Sequence, residues 1–576
     1  MRRFSITFVA LTILAASVLH VASISHAQTV IPRLDYRART LPNGLKFYSI
    51  EDHASPTVSI QVWYHVGSKD DPENRSGFAH LFEHLMFKST KHMKSEMLDR
   101  LTEDVGGVNN AFTADDVTVY FETVPSNYLE TLIWAEADRL SSLNVDDPNF
   151  KSERAVVQEE FRQSVLAPPY GKLDYLLTSQ LSYTTHPYKR PTIGSIKDLE
   201  AAMLADVRAF HTTFYRPANA TLIVAGDFDR KQLDAWVDKY FGNITNPNTS
   251  VPRVQIKEAS RTMSRRYTEY GTNVPLPAVE LTYLIPPKAD SDTYALRIAQ
   301  AILAAGESSR LYRSLVYEQQ LAQSAEGNAD LREATGLFII KTTLASGKKP
   351  EDAERAMLSE ITRMQNESVT SAELSKAKNQ LVTTQFRERE TNFGRALALG
   401  DAVVIQGDAK RVNTDIEQLQ SITAADIQRV MRKYFTDTNR VVINYLPEAM
   451  RRAEGKPEHS QTSNITVNKD SAKQISDLTN DNQAVEQADV LNGHAVFKPA
   501  PKYPKKARKA RVTGAVTVSL IVDEKGNVIK IESVSGPPEL QKAAVEAARL
   551  ARFSPTLLYG KPVKVLGTIT YNFSLE

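Results

Sequence analysis

The chain has 576 residues, 42% hydrophobic and 24% charged, an ordinary globular composition too long for one hydrophobic core, so three or four domains are expected. A net charge of +2 gives no global pull toward nucleic acid, so no nucleic-acid partner is expected. The absence of cysteine excludes disulfides and removes thiolates from the possible metal ligands.

The first element lies outside any fold. Arg2 and Arg3 precede an apolar stretch from Ile6 to Leu19, and Ser25-His26-Ala27 offers small residues at both key cleavage positions. The pattern predicts a secretory signal peptide over residues 1–27, cut before Gln28, and an exported chain. An uncleaved anchor is the alternative, but the stretch is short for a bilayer and no later segment approaches the roughly 20 apolar residues a span needs. Next, Val58 to Val66 alternates as a strand and His80 to Phe87 follows a helical pattern. Thr118 to Val124 reads as a strand and Tyr128 to Leu143 as a helix. Ala205 to Asp227 then matches Ala425 to Pro447 without a gap at an offset of 220 residues. Ala205, Asp206, Asn219 and Ile223 are identical to their counterparts Ala425, Asp426, Asn439 and Ile443. Each copy reads as helix, turn and β-branched strand, which favours an internal duplication. Two α/β domains follow, roughly residues 36–240 and 252–448.

From 449 to 493 the chain is rich in Asn, Gln, Ser, Asp and Lys with little periodicity, and reads as a disordered linker. Residues 494–576 carry their own signals: an alternating strand from Gly514, a turn at Asp523-Glu-Lys-Gly, a return strand from Asn527, an alanine-rich helix from Leu540 to Leu550, and a closing strand from Thr568. That is a small α+β domain.

The chemistry concentrates in His80-Leu-Phe-Glu-His84. On a helix, residues four apart share a face, so His80 and His84 aim at one point and Glu83 is close enough to reach the same cavity. A catalytic zinc site needs three protein ligands and an open position, so these two histidines alone leave one ligand missing, and a buried helix with two ordinary histidines stays open. Downstream, Ser152-Glu-Arg-Ala-Val-Val-Gln-Glu-Glu-Phe-Arg places Glu153 and Glu160 two turns apart on one helical face.

H-x-x-E-H followed by a glutamate 76 residues past the second histidine, inside an E-R-x-V-V-x-x-E run, resembles the pitrilysin/insulysin metallopeptidases with the inverted zinc motif, the group that includes the mitochondrial processing peptidase subunits. Gly106-Gly-Val-Asn-Asn-Ala-Phe-Thr, His186-Pro-Tyr-Lys-Arg-Pro and Phe214-Tyr-Arg-Pro-Ala-Asn carry the same resemblance, which covers roughly residues 36–448. It implies two duplicated α/β domains in a clam-like pair, the second without metal ligands. It implies one zinc ion on His80, His84 and Glu160, with Glu83 as general base and Glu153 as a catalytic-site carboxylate that orients the ligands. A solvated helix glutamate is the alternative for Glu153. Asn109, Asn110, Ala111 and Phe112 fall where the family presents an edge strand to an extended peptide substrate; a structural turn and strand is the alternative. The resemblance also implies an arginine and a tyrosine seven residues later in the second domain, but Val316 and Gln323 occupy those positions. A zinc endopeptidase completed by a second related subunit, or a homodimer, is therefore expected.

Pro501-Lys-Tyr-Pro-Lys-Lys-Ala, Gly514-Ala-Val-Thr-Val, Asp523-Glu-Lys-Gly, Ala547-Ala-Arg-Leu-Ala-Arg-Phe-Ser-Pro and Gly560-Lys-Pro-Val resemble, in order and spacing, a TonB-type C-terminal domain. That implies docking to an envelope protein, or dimerisation, by strand addition; the signal peptide predicts a periplasmic location. The basic run Lys498, Lys502, Lys505, Lys506, Arg508, Lys509 and Arg511 is either a solvated face or a contact with an anionic envelope surface. The rival to the enzyme is a non-catalytic envelope assembly protein that uses the peptidase fold as scaffold.

Overall fold

The computed structural model describes residues 32–453, 485–490, 495–497, 499–553, 557–558, 561–562 and 564–573. The expected signal peptide lies outside the described residues. The chain separates into two compact units, Met1–Pro457 and Glu458–Glu576.

The first unit holds two sheets of the same design. Strands β1 (Arg37–Thr40), β2 (Lys46–Glu51), β3 (Thr57–Tyr64), β4 (Val108–Thr113), β5 (Thr118–Pro125) and β6 (Ala220–Gly226) lie in the order β1-β2-β6-β3-β5-β4. Strands β7 (Arg265–Gly271), β8 (Ala278–Ile285), β9 (Ala322–Asp330), β10 (Gly336–Leu344) and β11 (Arg440–Pro447) lie in the order β7-β11-β8-β10-β9. In both sheets one pair is parallel, β2 with β6 and β7 with β11, and its neighbours are antiparallel. The topology thus repeats as the sequence does, and β4 and β9 are the equivalent free edges.

The helices that position the site are α1 (Phe78–Leu85), α2 (Leu129–Ser142), α3 (Asp147–Glu160), α4 (Leu204–Phe214), α5 (Asp292–Ala304), α6 (Ser371–Glu388), α7 (Asn392–Gly400) and α8 (Ala424–Tyr434). The repeated residues have matching work. Asp206 and Asp426 are the third-residue partners of capping boxes at the starts of α4 and α8. Asn219 donates to the carbonyls of Phe214 and His65, and Asn439 donates to those of Tyr434 and Leu284. Each asparagine pins the end of its helix to the neighbouring strand.

One face of the first sheet is covered by its own helices, around buried Phe78, Phe82, Leu132, Phe210 and Leu222. The other face, with Ile50, Trp63, Val119 and Ile223, is covered by Ala396, Leu399, Ala402 and Val403 from the second half. The exchange is reciprocal. Leu173, with Tyr170, Leu177 and Leu181 around it, packs from the first half onto Ala278, Val441, Ile443 and Tyr445 of the second sheet. Adding the repeat offset of 220 to the π-helical turn Leu173–Leu177 lands on residues 393–397, within α7. Each half therefore lends the same segment to the other. A polar seam supplements this: buried Lys69 pairs with Asp116 and Glu333, and Arg332 reaches Asp115 at 3.3 Å.

The second unit has a four-stranded sheet in the order Val485–Val490, Val565–Phe573, Gly514–Val522, Val528–Ser535, with the helix Pro538–Leu550 burying Leu540, Ala544, Ala547 and Ala548 against it. This shortens the expected linker. Glu448–Ala453 is helical, and Val485–Val490 pairs in parallel with Val565–Phe573. The strand escapes a reading of composition because backbone pairing at a sheet edge needs few apolar side chains. Of the expected linker, 454–484 and 491–493 lie outside the described residues.

Candidate metal centre

α1 begins where the chain must turn sharply. Gly77 has φ 100°, and a Cβ there would meet the Ile193 carbonyl oxygen at 2.9 Å. Asp71, buried, reaches over this start and accepts from the backbone N–H groups of Gly77 at 2.6 Å and Ala79 at 2.9 Å, satisfying two donors of the first turn. Phe78, Phe82 and Leu85 anchor the helix in the core, and the Tyr120 hydroxyl donates to the Phe82 carbonyl. His80 and His84 are thereby fixed on one face, ring centroids 4.9 Å apart.

α3 starts with the Asp146 side chain capping the Asn149 N–H and ends at Glu160, where a π-helical turn, Phe161–Leu166, takes over. Glu160 Oε2 lies 3.5 Å from His80 Nε2 and 3.2 Å from His84 Nε2. One ligand atom from each of the three residues falls within 4.8 Å of the others, the one such His/Cys/Asp/Glu group among the described residues. Ligand bonds of about 2.0–2.2 Å in a tetrahedron put ligand atoms about 3.4 Å apart, so the spacing suits a single ion. Burial holds His80 down at about 4, with His84 adding to the effect, so its imidazole is neutral and has a lone pair to offer. A hydrogen bond with His84 holds the Glu160 carboxyl below its ordinary range, so it is ionised. Two imidazole nitrogens and one carboxylate oxygen fit zinc better than magnesium or calcium.

Glu153 is buried two turns earlier on α3. Its Oε1 accepts from Lys88 Nζ at 2.9 Å and from Ser152 Oγ at 3.0 Å, while its Oε2 stands 3.9 Å from His84 Nδ1. It thus faces the ring nitrogen of His84 that points away from Glu160. Burial pushes the Glu83 carboxyl up, against opposing pulls from Thr113 and His84, which makes it a better proton acceptor near neutral pH.

β4 runs beside α1. Ala111 packs with the core on the side of α1, and Asn109 donates to Asp99 at 2.9 Å. Asn110 accepts from the backbone N–H of Ala111 at 2.8 Å, so that N–H faces the free edge. Phe112 lies on the opposite side, edge-on to Trp63 at 6.2 Å. The four expected substrate residues therefore divide between two faces. Val316 is half-buried against the second core, and Gln323 is exposed on β9. Asp71 and Lys88 escaped the sequence reading. Lys88 carried a signal, standing four residues past His84, one helical turn on.

Residues 46–194 match the family described as Insulinase (Peptidase family M16), and residues 202–381 match Peptidase M16 inactive domain. The chain carries two insulinase-family (M16) domains. Residues 499–575 match the Gram-negative bacterial TonB protein C-terminal family. The insulinase-type part is similar to a zinc protease, PqqE, of Helicobacter pylori, 29% identical over 424 residues, covering 73% of this chain and 95% of that protein. It is also similar to a probable mitochondrial-processing peptidase subunit beta of Arabidopsis thaliana, 23% identical over 412 residues, covering 70% of this chain and 76% of that one. A solved protease structure from Helicobacter pylori aligns with TM-score 0.69 at 28% identity, covering 72% of this chain and all of that one. The first half of the periplasmic protease PqqL from Escherichia coli shares the fold, with TM-score 0.60 at 18% identity over 74% of this chain and 95% of that one. Insulinase-family relatives named zinc proteases support a zinc-dependent peptidase-type function, while the second half matches an inactive-domain family.

Proposed function

We propose that this chain is a zinc endopeptidase acting on extended peptides or unfolded segments in the cell envelope. The observation that carries the reading is the convergence of His80, His84 and Glu160 with Glu83 on the same helix as the two histidines. His80 Nε2, His84 Nε2 and Glu160 Oε2 would hold one ion, and Glu153 keeps the His84 ring in place through Nδ1. A zinc ion held there supplies Lewis acidity toward the scissile carbonyl and toward a water molecule. Glu83 accepts the proton of that water at its carboxylate as the new C–O bond forms, and returns it to the amine nitrogen as the C–N bond breaks. The free edge of β4 pairs backbone to backbone with the substrate, which places little demand on its sequence. Glu83→Gln tests this: zinc should remain bound while cleavage of a peptide library, chelator-sensitive in the parent, disappears. Retained cleavage would exclude Glu83 as base.

Val316 and Gln323 favour a further element, a second related subunit or a second copy that supplies the missing arginine and tyrosine. The chain alone should bind zinc and cleave poorly; full monomeric activity, unchanged by any added partner, contradicts this. The same two residues favour the rival, a non-catalytic envelope assembly protein, which predicts that Glu83→Gln leaves the biological role intact. An apolar N-terminal segment ending in Ser-His-Ala and the TonB-type domain support a periplasmic location. No described helix is long and apolar enough to cross a membrane. The C-terminal sheet offers two edges, Val485–Val490 and Val528–Ser535, to an envelope partner's strand.

A further inference from the structure

β4 is an edge with two faces. Asn109, Ala111 and Thr113 alternate onto the side of α1, whereas Val108, Asn110 and Phe112 alternate onto the other. A peptide strand paired with β4 inherits this alternation, so half of its side chains point away from the metal centre. On that away side the second half roofs the sheet with α7 and the end of α6, leaving a cavity of about 530 Å³. Phe112 and Trp63 form one wall; Arg297 on α5, with Gln385 and Arg389 at the end of α6, forms the other.

The charged side chains around this cavity are not all held in ion pairs. Lys288 is held by Asp401, Arg411 Nε pairs with Asp415 at 3.4 Å, and Asp330 pairs with Arg332 at 2.7 Å. Among the described residues neither Arg297 nor Arg389 has a carboxylate within ion-pair distance; Asp415, exposed Glu388 and, for Arg297, Asp401 act on them only from farther off. With its amide oxygen turned inward, Gln385 accepts from both terminal nitrogens of Arg297, at 3.1 and 3.0 Å. That neutral contact orients the guanidinium without neutralising it. Burial lowers both arginines from their ordinary value, against the opposing pull of Asp415 and Glu388, so each guanidinium is largely stripped of water.

We propose that this cavity is a carboxylate subsite: Arg297 and Arg389 take an acidic side chain of a peptide paired with β4, and Phe112 and Trp63 take its aliphatic stem. The subsite confers a preference for Glu or Asp at a substrate position whose side chain faces away from the metal. It rests on the reading above in one respect, that an extended peptide pairs with β4.

The test uses the full chain carrying Glu83→Gln, loaded with zinc, and fluorescent ten-residue peptides of Ala, Ser and Thr. A single Glu, Gln or Lys is moved through the peptide and binding is read by anisotropy. Glu at one register should bind about tenfold tighter than Gln, as charge-assisted bonds to arginine outweigh neutral ones. Arg297→Gln and Arg389→Gln should each remove most of that preference while leaving the affinity of the Gln peptide unchanged. Arg389 caps the end of α6, so its replacement spares the helix interior should Arg297→Gln fail to fold. Equal binding of Glu and Gln peptides at every position, a preference that survives both replacements, or no peptide binding at all overturns the subsite. A chain that cleaves without a Glu preference sinks the subsite alone; one that prefers Glu yet never cleaves sinks only the catalytic reading.

Discussion

The exchange of segments between the halves turns on one contact, and Gly400→Ala tests it. Gly400, near the end of α7, faces the indole of Trp63; an added Cβ would lie 2.2 Å from Cε2 and 2.4 Å from Cζ2. Carbon atoms in contact sit about 3.5–4.0 Å apart, so the methyl group needs more than an ångström of movement. The indole has nowhere to go. It is fully buried, its Nε1 donates to Gln61 Oε1 at 3.0 Å, and Gln61 Nε2 donates in turn to the Phe393 carbonyl of α7 at 3.0 Å. Replacing glycine with alanine inside a helix favours folding by about 0.5–1 kcal/mol. Overpacking a close-fitted core costs about 1–3 kcal/mol, so the net expectation is destabilisation of about 1–2 kcal/mol. Chemical denaturation with tryptophan fluorescence reads it, and Trp63→Phe provides the control. In the Gly400→Ala background the smaller ring should recover about 1 kcal/mol that it does not recover in the parent. A Gly400→Ala chain as stable as the parent, with no coupling to Trp63, would refute the seating of α7 on the first sheet.

Other expectations are as direct. Glu153→Gln should weaken zinc binding by about 10–100-fold without unfolding the chain, measured by competition with a chelating dye; unchanged affinity removes Glu153 from the site. Burial raises Asp292, but hydrogen bonds from Lys433, Arg429 and Tyr434 outweigh it and hold the carboxyl at about 2, below its ordinary 3.8. That depression contributes about 2 kcal/mol above pH 4, lost as pH falls toward 2, and Asp292→Asn should flatten the acid limb of stability between those values. Asn439→Ala strands the carbonyls of Tyr434 and Leu284 and should cost about 2–3 kcal/mol in urea denaturation. Asn219→Ala should behave alike, and a large difference between them would contradict their equivalence in the repeat.

The metal helix was legible because four-residue spacing is a local signal, and the duplication was legible because its register is ungapped. Glu160 is 76 residues from His84, and only resemblance linked them; no periodicity reports that α3 ends against α1. Period-two alternation in β4 could have separated Ala111 from Phe112, yet the two are adjacent and were read as one patch. The support beneath the ligands was harder to see. Asp71 lies six residues before Gly77 in an irregular stretch, outside the usual capping positions, so nothing local marks it as the cap of α1. The reciprocal loan of Leu173–Leu177 and α7 left no trace either, because an apolar helical stripe does not say which sheet it covers.

The duplication explains why one half would hold a metal while the other carries a charged pocket. Both sheets place a helix beside their free edge, α1 beside β4 and α5 beside β9. α1 offers His80, Glu83 and His84 to the space outside its edge. α5 reads Asp292-Thr-Tyr-Ala-Leu-Arg-Ile-Ala-Gln-Ala-Ile-Leu-Ala and contains no histidine or glutamate. Beyond its first turn, where Asp292, Thr293 and Tyr294 are buried, its polar residues are Arg297, in the cavity wall, and Gln300, whose amide donates to the Gly327 carbonyl of β9 at 3.0 Å. The second half therefore keeps the edge and the helix but exchanges metal ligation for fixed positive charge. Because α7 and Leu173–Leu177 lock the halves together, that charge is held on the far side of β4 from the metal. A strand on β4 would meet proton-transfer chemistry on one face and guanidinium groups on the other, so the two copies would act on one substrate without sharing a chemical role.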